Sequence, residues 1–407
     1  MTDSNLPLPA LIGVASLMRR AFAGENLMAE GASLLARAHA NPDDAHALMD
    51  LSTVLQLTGN RADALAVQAE AIAMQQLYAI PGRRAVGNFR LLAIMGPGDL
   101  MSNTPIEFLV AGSDVTLDLL YMTTLADWPQ QVPDHDLLLV AVAESEASQP
   151  LLQRLEHDLQ HWPRPIVNRP AQIAVLSRDG ACAALQNIAA VEMPLTVRLP
   201  RDRLQAIADG HDRVPTVLAD GDFPVIVRPT GSHAGQQLDK LSDPAGMATY
   251  LANVEASQFY LSRFVDYRSA DGQFRKYRIV LIDGAPFVCH FAISSHWMIH
   301  YLNAGMTESA DKRAEEADCM AHFDQQFAHR HARALQEINQ RIGLPYLGID
   351  CAETPSGELL IFEIDNAMIV HDMDPDNLFP YKKPVMKKLF TAFRDMLERH
   401  RHHAPPA

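Results

Sequence analysis

Two apolar, strand-like runs between residues 346 and 365 constrain the fold more than any other feature: the first ends on Asp350, and the second contains Glu363 and Asp365. A turn-forming Pro-Ser-Gly stretch separates them, which predicts a hairpin of two strands. Because side chains alternate along a strand, Glu363 and Asp365 share a face, and the paired strand can bring Asp350 beside them. Three carboxylates in an apolar setting need a compensating cation, and oxygen ligands suit Mg²⁺. The pattern predicts a metal site; the alternative is an exposed hairpin with acidic residues facing solvent.

A second apolar run, 223–227, leads directly into Arg228 and then into a loop rich in glycine and small residues. Ser232 and His233 belong to this loop. Backbone N–H groups in such a loop can hold phosphates, and the arginine charge can neutralise them. The run predicts an anion-binding strand and loop; a strand that ends in arginine before a flexible turn is the alternative.

The third feature is a pair of strand-like runs, 259–266 and 275–282, joined by a polar loop. Lys276 and Arg278 begin the second run. They are two residues apart, so their side chains share a face of the strand. A functional reading points both cations into a site, whereas a solvated basic edge is the alternative.

The rest of the chain predicts a mixed architecture. Residues 1–80 read as helices, with one helix–turn–helix unit whose spacing resembles a tetratricopeptide repeat; a plain helical cap is the alternative. From Asn88, strands alternate with helices, which predicts an open α/β sheet. From about Ser177 the pattern is α+β, with a long helix expected over 320–342.

In this order, the three features resemble the ATP-grasp superfamily, particularly its carboxylate–amine ligases of the ribosomal-protein glutamyl ligase, glutathione synthetase and D-alanine–D-alanine ligase kind. The resemblance covers about residues 165–400. It implies an α/β and α+β chain in which ATP lies between two α+β lobes. The expected segments are a TPR-like helical segment (1–80), an α/β pre-ATP-grasp domain (81–175), a two-lobed ATP-grasp domain (176–400) and a flexible tail (401–407).

The resemblance also implies roles for individual residues. It assigns catalysis to Arg278 and Lys276, and two Mg²⁺ ions to Asp350, Glu363 and Asp365. The expected ATP-binding residues are Arg228, Ser232, His233, Arg263, Phe264, Val265 and Asp266. The expected acceptor-binding residues are His296, Trp297, Tyr301 and Asn303.

This sequence departs from the family pattern at several of these positions. The phosphate-strand lysine is Arg228, the aspartate of the D-x-R strand is Lys276, and the asparagine of E-x-N is Asp365. The carboxylate that commonly holds ribose is absent at Ser262, where Asp266 is the expected substitute. These changes bear on the nucleotide contacts more than on the metal.

The implied activity is an ATP- and Mg²⁺-dependent ligase that joins a carboxylate to an amine through an acyl phosphate, on a small amino acid or a peptide. The alternative is a nucleotide-binding sensor with a degenerate ATP-grasp fold and a helical N-terminus that binds a protein or peptide partner. A homodimer is possible. A net charge of −15 disfavours nucleic acid and anionic membranes as partners. The four cysteines form no C-x-x-C pair, and a reduced cytoplasmic setting is expected.

Overall fold

The computed structural model describes residues 9–80, 89–232 and 235–402. The helices are α1 (Val14–Phe22), α2 (Met28–Ala40), α3 (Ala45–Leu57), α4 (Arg61–Met74), α5 (Ile106–Leu109), α6 (Gln149–Asp158), α7 (Pro170–Ile173), α8 (Arg178–Leu185), α9 (Arg201–Ala208), α10 (Pro244–Asn253), α11 (Ala310–His322), α12 (Ala332–Ile342) and α13 (Lys382–Arg401). The strands are β1 (Leu77–Ile80), β2 (Phe89–Met95), β3 (Val115–Tyr121), β4 (Leu137–Val140), β5 (Ile166–Val167), β6 (Val191–Glu192), β7 (Thr196–Pro200), β8 (Val225–Pro229), β9 (Asp239–Leu241), β10 (Gln258–Arg263), β11 (Phe274–Ile282), β12 (Ala285–Ser294), β13 (Tyr346–Glu353) and β14 (Leu359–Asp365).

The chain divides into two compact units. One comprises Met1–Ala174, Leu344–Tyr346 and Asp365–Ala407, and the other comprises Val175–Gly343 and Leu347–Ile364. The domain limits expected from the sequence stay predictions. The limit at residue 81 lies outside the described residues, as do His233 and the tail from residue 403.

The first unit holds a sheet in the order β1-β3-β2-β4-β5. β2 pairs parallel with both β3 and β4, while β1 runs antiparallel to β3 at one edge. Residues 91–94 of β2 are fully buried. An unbroken apolar run is what a parallel strand needs when both of its faces are covered. The predicted open α/β sheet is confirmed.

Helices fill most of residues 9–80, as predicted. Leu17, Leu34, Leu51 and Val54 form part of one buried apolar cluster among them. The strand β1 at the end of this segment was not expected from the sequence. The likeness to a tetratricopeptide repeat stays a prediction.

The second unit contains two sheets, in the orders β7-β10-β8-β9 and β12-β11-β13-β14-β6. In the first sheet, β8 and β10 pair antiparallel and bring Arg228 opposite Tyr260. The apolar face of this sheet packs with residues of α9 and α10, including Leu204, Met247 and Leu251. In the second sheet, β13 and β14 are neighbours on either side of the predicted turn, and β11 borders β13. The predicted α+β character is confirmed.

The single helix predicted over 320–342 is wrong. α11 ends at His322, a π-helical turn occupies Asp324–Ala328, and α12 follows. The rings of Phe323 and Phe327 stack at 5.3 Å between centroids. Side-chain packing therefore overrides the regular 3.6-residue period here.

No helix in the described ranges is long and apolar enough to span a membrane.

Candidate functional site

Lys276 and Arg278 lie on β11, and both side chains reach Asp350 on the neighbouring β13. Arg278 donates from Nε to Oδ1 at 2.7 Å and from Nη2 to Oδ2 at 2.9 Å, which makes a bidentate pair. The Nζ atom of Lys276 lies 2.6 Å from Oδ2 of the same carboxylate. Asp350 is only 2% exposed. The two cations share a face, as the strand period predicts, and that face is buried against a carboxylate.

These contacts set the protonation of the pair. Burial disfavours the ionised form of Asp350, but the charges of Arg278 and Lys276 outweigh it and hold the pKa of this carboxyl well below its usual range. Burial likewise opposes the charged guanidinium of Arg278, yet Asp350 outweighs that penalty and raises its pKa. The two cations therefore favour the ionised form of Asp350.

Glu363 on β14 has a different partner, Arg178. The Nη2 atom of Arg178 lies 2.6 Å from Oε1 of Glu363, and its Nη1 donates to the carbonyl of Phe362 at 3.4 Å. Burial disfavours the ionised form of Glu363, but Arg178 and then Arg228 outweigh it and lower its pKa. The two arginines therefore favour the ionised form of Glu363. Its side chain is 36% exposed, so the carboxylate can be reached from solvent.

Arg178 was missed by the sequence reasoning. It is the first residue of α8, whose N-cap Ser177 accepts a hydrogen bond from the Gly180 N–H. The family resemblance leads one to expect a lysine after the Arg178-Asp179-Gly180 stretch, where this chain has none. The available signal was the arginine in the first turn of this capped helix, which could provide the positive charge of the lysine that this chain lacks.

Arg228 is a buried cation on β8. It is 6% exposed, and its Nε donates to Oγ of Ser232 at 3.0 Å, with a second bond to the Ser232 carbonyl. Within the described residues, no carboxylate forms an ion pair with it. Burial, and then the nearby charge of Arg178, lower the pKa of Arg228 to about 10. A cation left in this state is suited to an anionic ligand.

These groups act on one another within the second unit. The carboxylate of Glu363 feels the charges of Arg178, Arg228, Asp350 and Lys276. Counted with Arg278, four cations stand against two carboxylates. These six side chains together carry two surplus positive charges, which fits a polyphosphate better than a neutral ligand.

Residues 263–265, part of the expected ATP-binding set, lie in a well-packed segment. Arg263 pairs with Glu192 and, from Nε to Oδ2 at 3.1 Å, with Asp220. The Phe264 N–H donates to the Pro224 carbonyl at 2.9 Å, and Lys240 lies over the Phe264 ring at 3.7 Å. The backbone N–H of Phe264 is therefore already hydrogen-bonded within the protein. The nucleotide contacts of Arg263, Phe264 and Val265 stay predictions.

Asp266, the expected ribose partner, pairs with Arg268, which donates from Nε to Oδ1 at 3.0 Å. This ion pair is exposed, and Arg268 lowers the pKa of the carboxyl. The ribose contact stays a prediction.

The predicted acceptor loop is anchored through two of its members. The hydroxyl of Tyr301 donates to Glu316 at 3.0 Å, and Glu316 is fully buried. The Trp297 ring meets Phe264 edge to face at 5.7 Å. Asn303 accepts from the His300 N–H at 3.2 Å and so closes its own turn. Glu316 was also missed, because no local pattern marks a carboxylate that fixes a loop tyrosine.

His296 is exposed, and its Nδ1 accepts from the Met298 N–H at 3.2 Å. This contact is local to the turn, and the acceptor role of His296 stays a prediction, as do those of Trp297, Tyr301 and Asn303.

The fit to magnesium differs among the three predicted ligands. Among residues 9–80, 89–232 and 235–402, no three His, Cys, Asp or Glu side chains are grouped so as to hold a metal ion. Magnesium is usually held by one or two carboxylates together with substrate phosphates, and the accessible Glu363 fits that role. Asp350 fits it poorly, because cations already occupy both of its oxygens. Asp365 is the last residue of β14, and its Oδ1 accepts from the Ala367 N–H at 2.9 Å.

No family model and no curated protein matches this chain. Among solved structures, a D-alanine–D-alanine ligase from Bacillus anthracis complexed with ATP is similar over 77% of this chain and 98% of its own, at 13% identity and a TM-score of 0.45. A RimK domain ATP-grasp protein from Sphaerobacter thermophilus is similar over 76% and 99%, at 16% identity and 0.42. The VanG D-Ala:D-Ser ligase from Enterococcus faecalis is similar over 76% and 99%, at 12% identity and 0.46. The first and third of these are named as ligases and the second as an ATP-grasp protein, and a likeness at these TM-scores and identities says nothing about the activity of this chain.

Proposed function

We propose that this protein is an ATP- and Mg²⁺-dependent ligase of the ATP-grasp type, which joins a carboxylate to an amine through an acyl phosphate. The observation that carries the proposal is Arg228, a buried guanidinium with no carboxylate partner in the described structure. A buried charge without an ion-pair partner is costly, and the phosphates of bound ATP would neutralise the charge of Arg228.

The other residues have matching tasks. Arg228 and Arg178 bind the phosphates, and Lys276 with Arg278 faces the negative charge that develops as the γ-phosphoryl group moves to the substrate carboxylate. Glu363 would hold a magnesium ion, with Asp365 as the second ligand that the sequence predicts, and the ion would supply positive charge that neutralises the phosphates. The chain thus acts mainly by positioning groups and balancing charge.

The acceptor enters against the loop that contains Trp297 and Tyr301. The amine then displaces phosphate from the acyl group, with release of ADP and phosphate. Small amino acids and peptides are the two substrate classes, and an amine carried by either class can complete this step.

The test is ADP release from Mg·ATP against a panel of carboxylates paired with amines, including peptides. We expect the wild type to release ADP in the presence of one acid of the panel, and to release more when an amine is added. Glu363→Gln and Asp365→Asn should each abolish ADP release in a chain that circular dichroism shows to be folded. Full activity in both variants would contradict the site assignment. Binding of nucleotide without turnover across the panel would favour the sensor instead.

A further inference from the structure

The surroundings of Asp350 differ from those of a metal ligand. Lys276 takes one contact on Oδ2, and Arg278 contacts both Oδ1 and Oδ2. The side chain of Asp350 is 3% exposed, while those of Lys276 and Arg278 are 18% and 21% exposed. The carboxylate is therefore held between two fixed cations and screened from water.

The charge balance of this triplet opposes a metal. One carboxylate and two cations leave a net positive charge, so a divalent ion bound to Asp350 would lie beside two like charges in a poorly solvated place. The surplus charge comes from Lys276, because Arg278 and Asp350 alone would form a neutral pair. This residue also stands where the resembling family has an aspartate.

Lys276 is also placed to use its charge outward. Its Nζ contacts Asp350 and, at 3.5 Å, the carbonyl of Ile299. An ammonium has three N–H donors, so in the described structure a third remains for a ligand. Asp350 thus fixes the position of the ammonium and leaves it a donor for an anion.

We propose that Lys276 and Arg278, fixed by Asp350, take the place of the second magnesium ion, so that the chain binds nucleotide with a single divalent ion. This inference rests on the proposed function. Asp350 then acts as a positioning residue for two cations and does not ligate metal. Glu363, together with the phosphates, would hold the single ion.

The experiment counts metal ions directly. The full chain and AMP-PNP are mixed at equal concentrations, well above the dissociation constant of the protein–nucleotide complex. The mixture is titrated with Mn²⁺ while electron paramagnetic resonance reports the concentration of free Mn²⁺. We expect one bound Mn²⁺ per chain in the wild type. Lys276→Met, which keeps length but removes the charge, is expected to bind two.

Two further variants separate the cause. Lys276→Arg keeps the positive charge and is expected to bind one ion. Lys387→Met removes a charge from an exposed position of α13 and is also expected to bind one. Circular dichroism verifies that each variant is folded.

The outcomes distinguish the two levels of the account. Two ions in the wild type, or one ion in a folded Lys276→Met chain, overturn the inference that Lys276 and Arg278 replace the second ion, and leave the proposed function standing. A wild type that binds no Mn²⁺–nucleotide at all sinks the proposed function, and the inference with it.

Discussion

Two regions of the second unit treat a buried charge in opposite ways. On β8, Arg228 is 6% exposed and is met only by the hydroxyl and carbonyl oxygens of Ser232 among the described residues. On β13, Asp350 is 2% exposed and is met by two cations. In the described structure, Arg228 forms no ion pair with a carboxylate, whereas Asp350 has one cationic partner more than its single charge requires.

Both arrangements leave positive charge unneutralised, and neither is what stability alone would select. Buried charges are normally paired one to one, since an unpaired charge costs solvation energy that the fold must offset elsewhere. A surplus of positive charge at both places is explained if an anionic ligand completes them. The comparison then predicts that a change at Asp350 harms the folded chain, whereas a change at Arg228 harms ligand binding.

The largest effect is expected for Asp350→Asn. This change removes the carboxylate charge that both Lys276 and Arg278 contact, and breaking a buried ionic group in this way costs about 3–5 kcal/mol of unfolding free energy. Urea denaturation measures it, with Glu255→Gln at an exposed position of the same unit as the control, expected within about 0.5 kcal/mol. A loss as small as that of the control would show that the Asp350 contacts do not hold the sheet.

Arg228→Met should show the opposite balance. Without ligand, the variant is expected to be as stable as the wild type or more so, because a desolvated charge has been removed. A hydrogen bond to a charged group contributes about 1.5–3 kcal/mol, so affinity for Mg·AMP-PNP should fall roughly 10- to 100-fold. Calorimetric titration measures this, with the exposed Arg333→Met as the control. Unchanged affinity would remove Arg228 from the phosphate site.

Glu353 offers a paired carboxylate outside the cluster. Burial opposes its charge, but His331 and Arg330 outweigh it and lower the pKa of Glu353 to about 2, from an ordinary 4.5. A folded-state pKa below the unfolded value stabilises the protein above pH 4.5, and that stabilisation is lost as the pH falls towards 2. Glu353→Gln should therefore cost about 1–3 kcal/mol near pH 7.

Urea denaturation of Glu353→Gln and wild type at a series of pH values measures this difference. The gap should stay constant down to about pH 4.5 and then narrow. A gap that widens in acid would contradict the sign of the shift.

The smallest effect is expected for Asp266→Asn. This carboxylate pairs with Arg268 on the surface, and exposed ion pairs contribute about 0–1 kcal/mol. Unfolding free energy should barely change. If Asp266 binds ribose as the sequence suggests, the KM for ATP rises while kcat is kept; an unchanged KM would exclude that contact.

How much of this could be predicted depends on the distance over which the information lies. α1 to α4 fall within the segment predicted to be helical, and β2 starts at Phe89, next to the predicted start of the α/β region at Asn88, because apolar period and turn residues are local signals. The shared face of Lys276 and Arg278 follows from the strand period in the same way. These parts of the fold and of the site were readable from short stretches.

The missing parts depend on distant partners. Arg178 meets Glu363 across 185 positions of sequence, and Arg278 meets Asp350 across 72. No pattern within either segment states which charge will lie opposite it. The sequence therefore predicted three carboxylates that await a cation, whereas the structure pairs Asp350 with two side-chain cations. Packing of Phe323 against Phe327 likewise broke a helix that the local pattern continued.

The central claim is that a carboxylate is phosphorylated by ATP, and oxygen-18 tracing tests it most directly. The acid found in the ADP-release panel is labelled with oxygen-18 in its carboxylate and turned over with Mg·ATP and the amine. An acyl phosphate requires that one labelled oxygen leave with phosphate, so mass spectrometry should find phosphate carrying a single oxygen-18. Phosphate without label, at complete turnover to amide, would contradict the account.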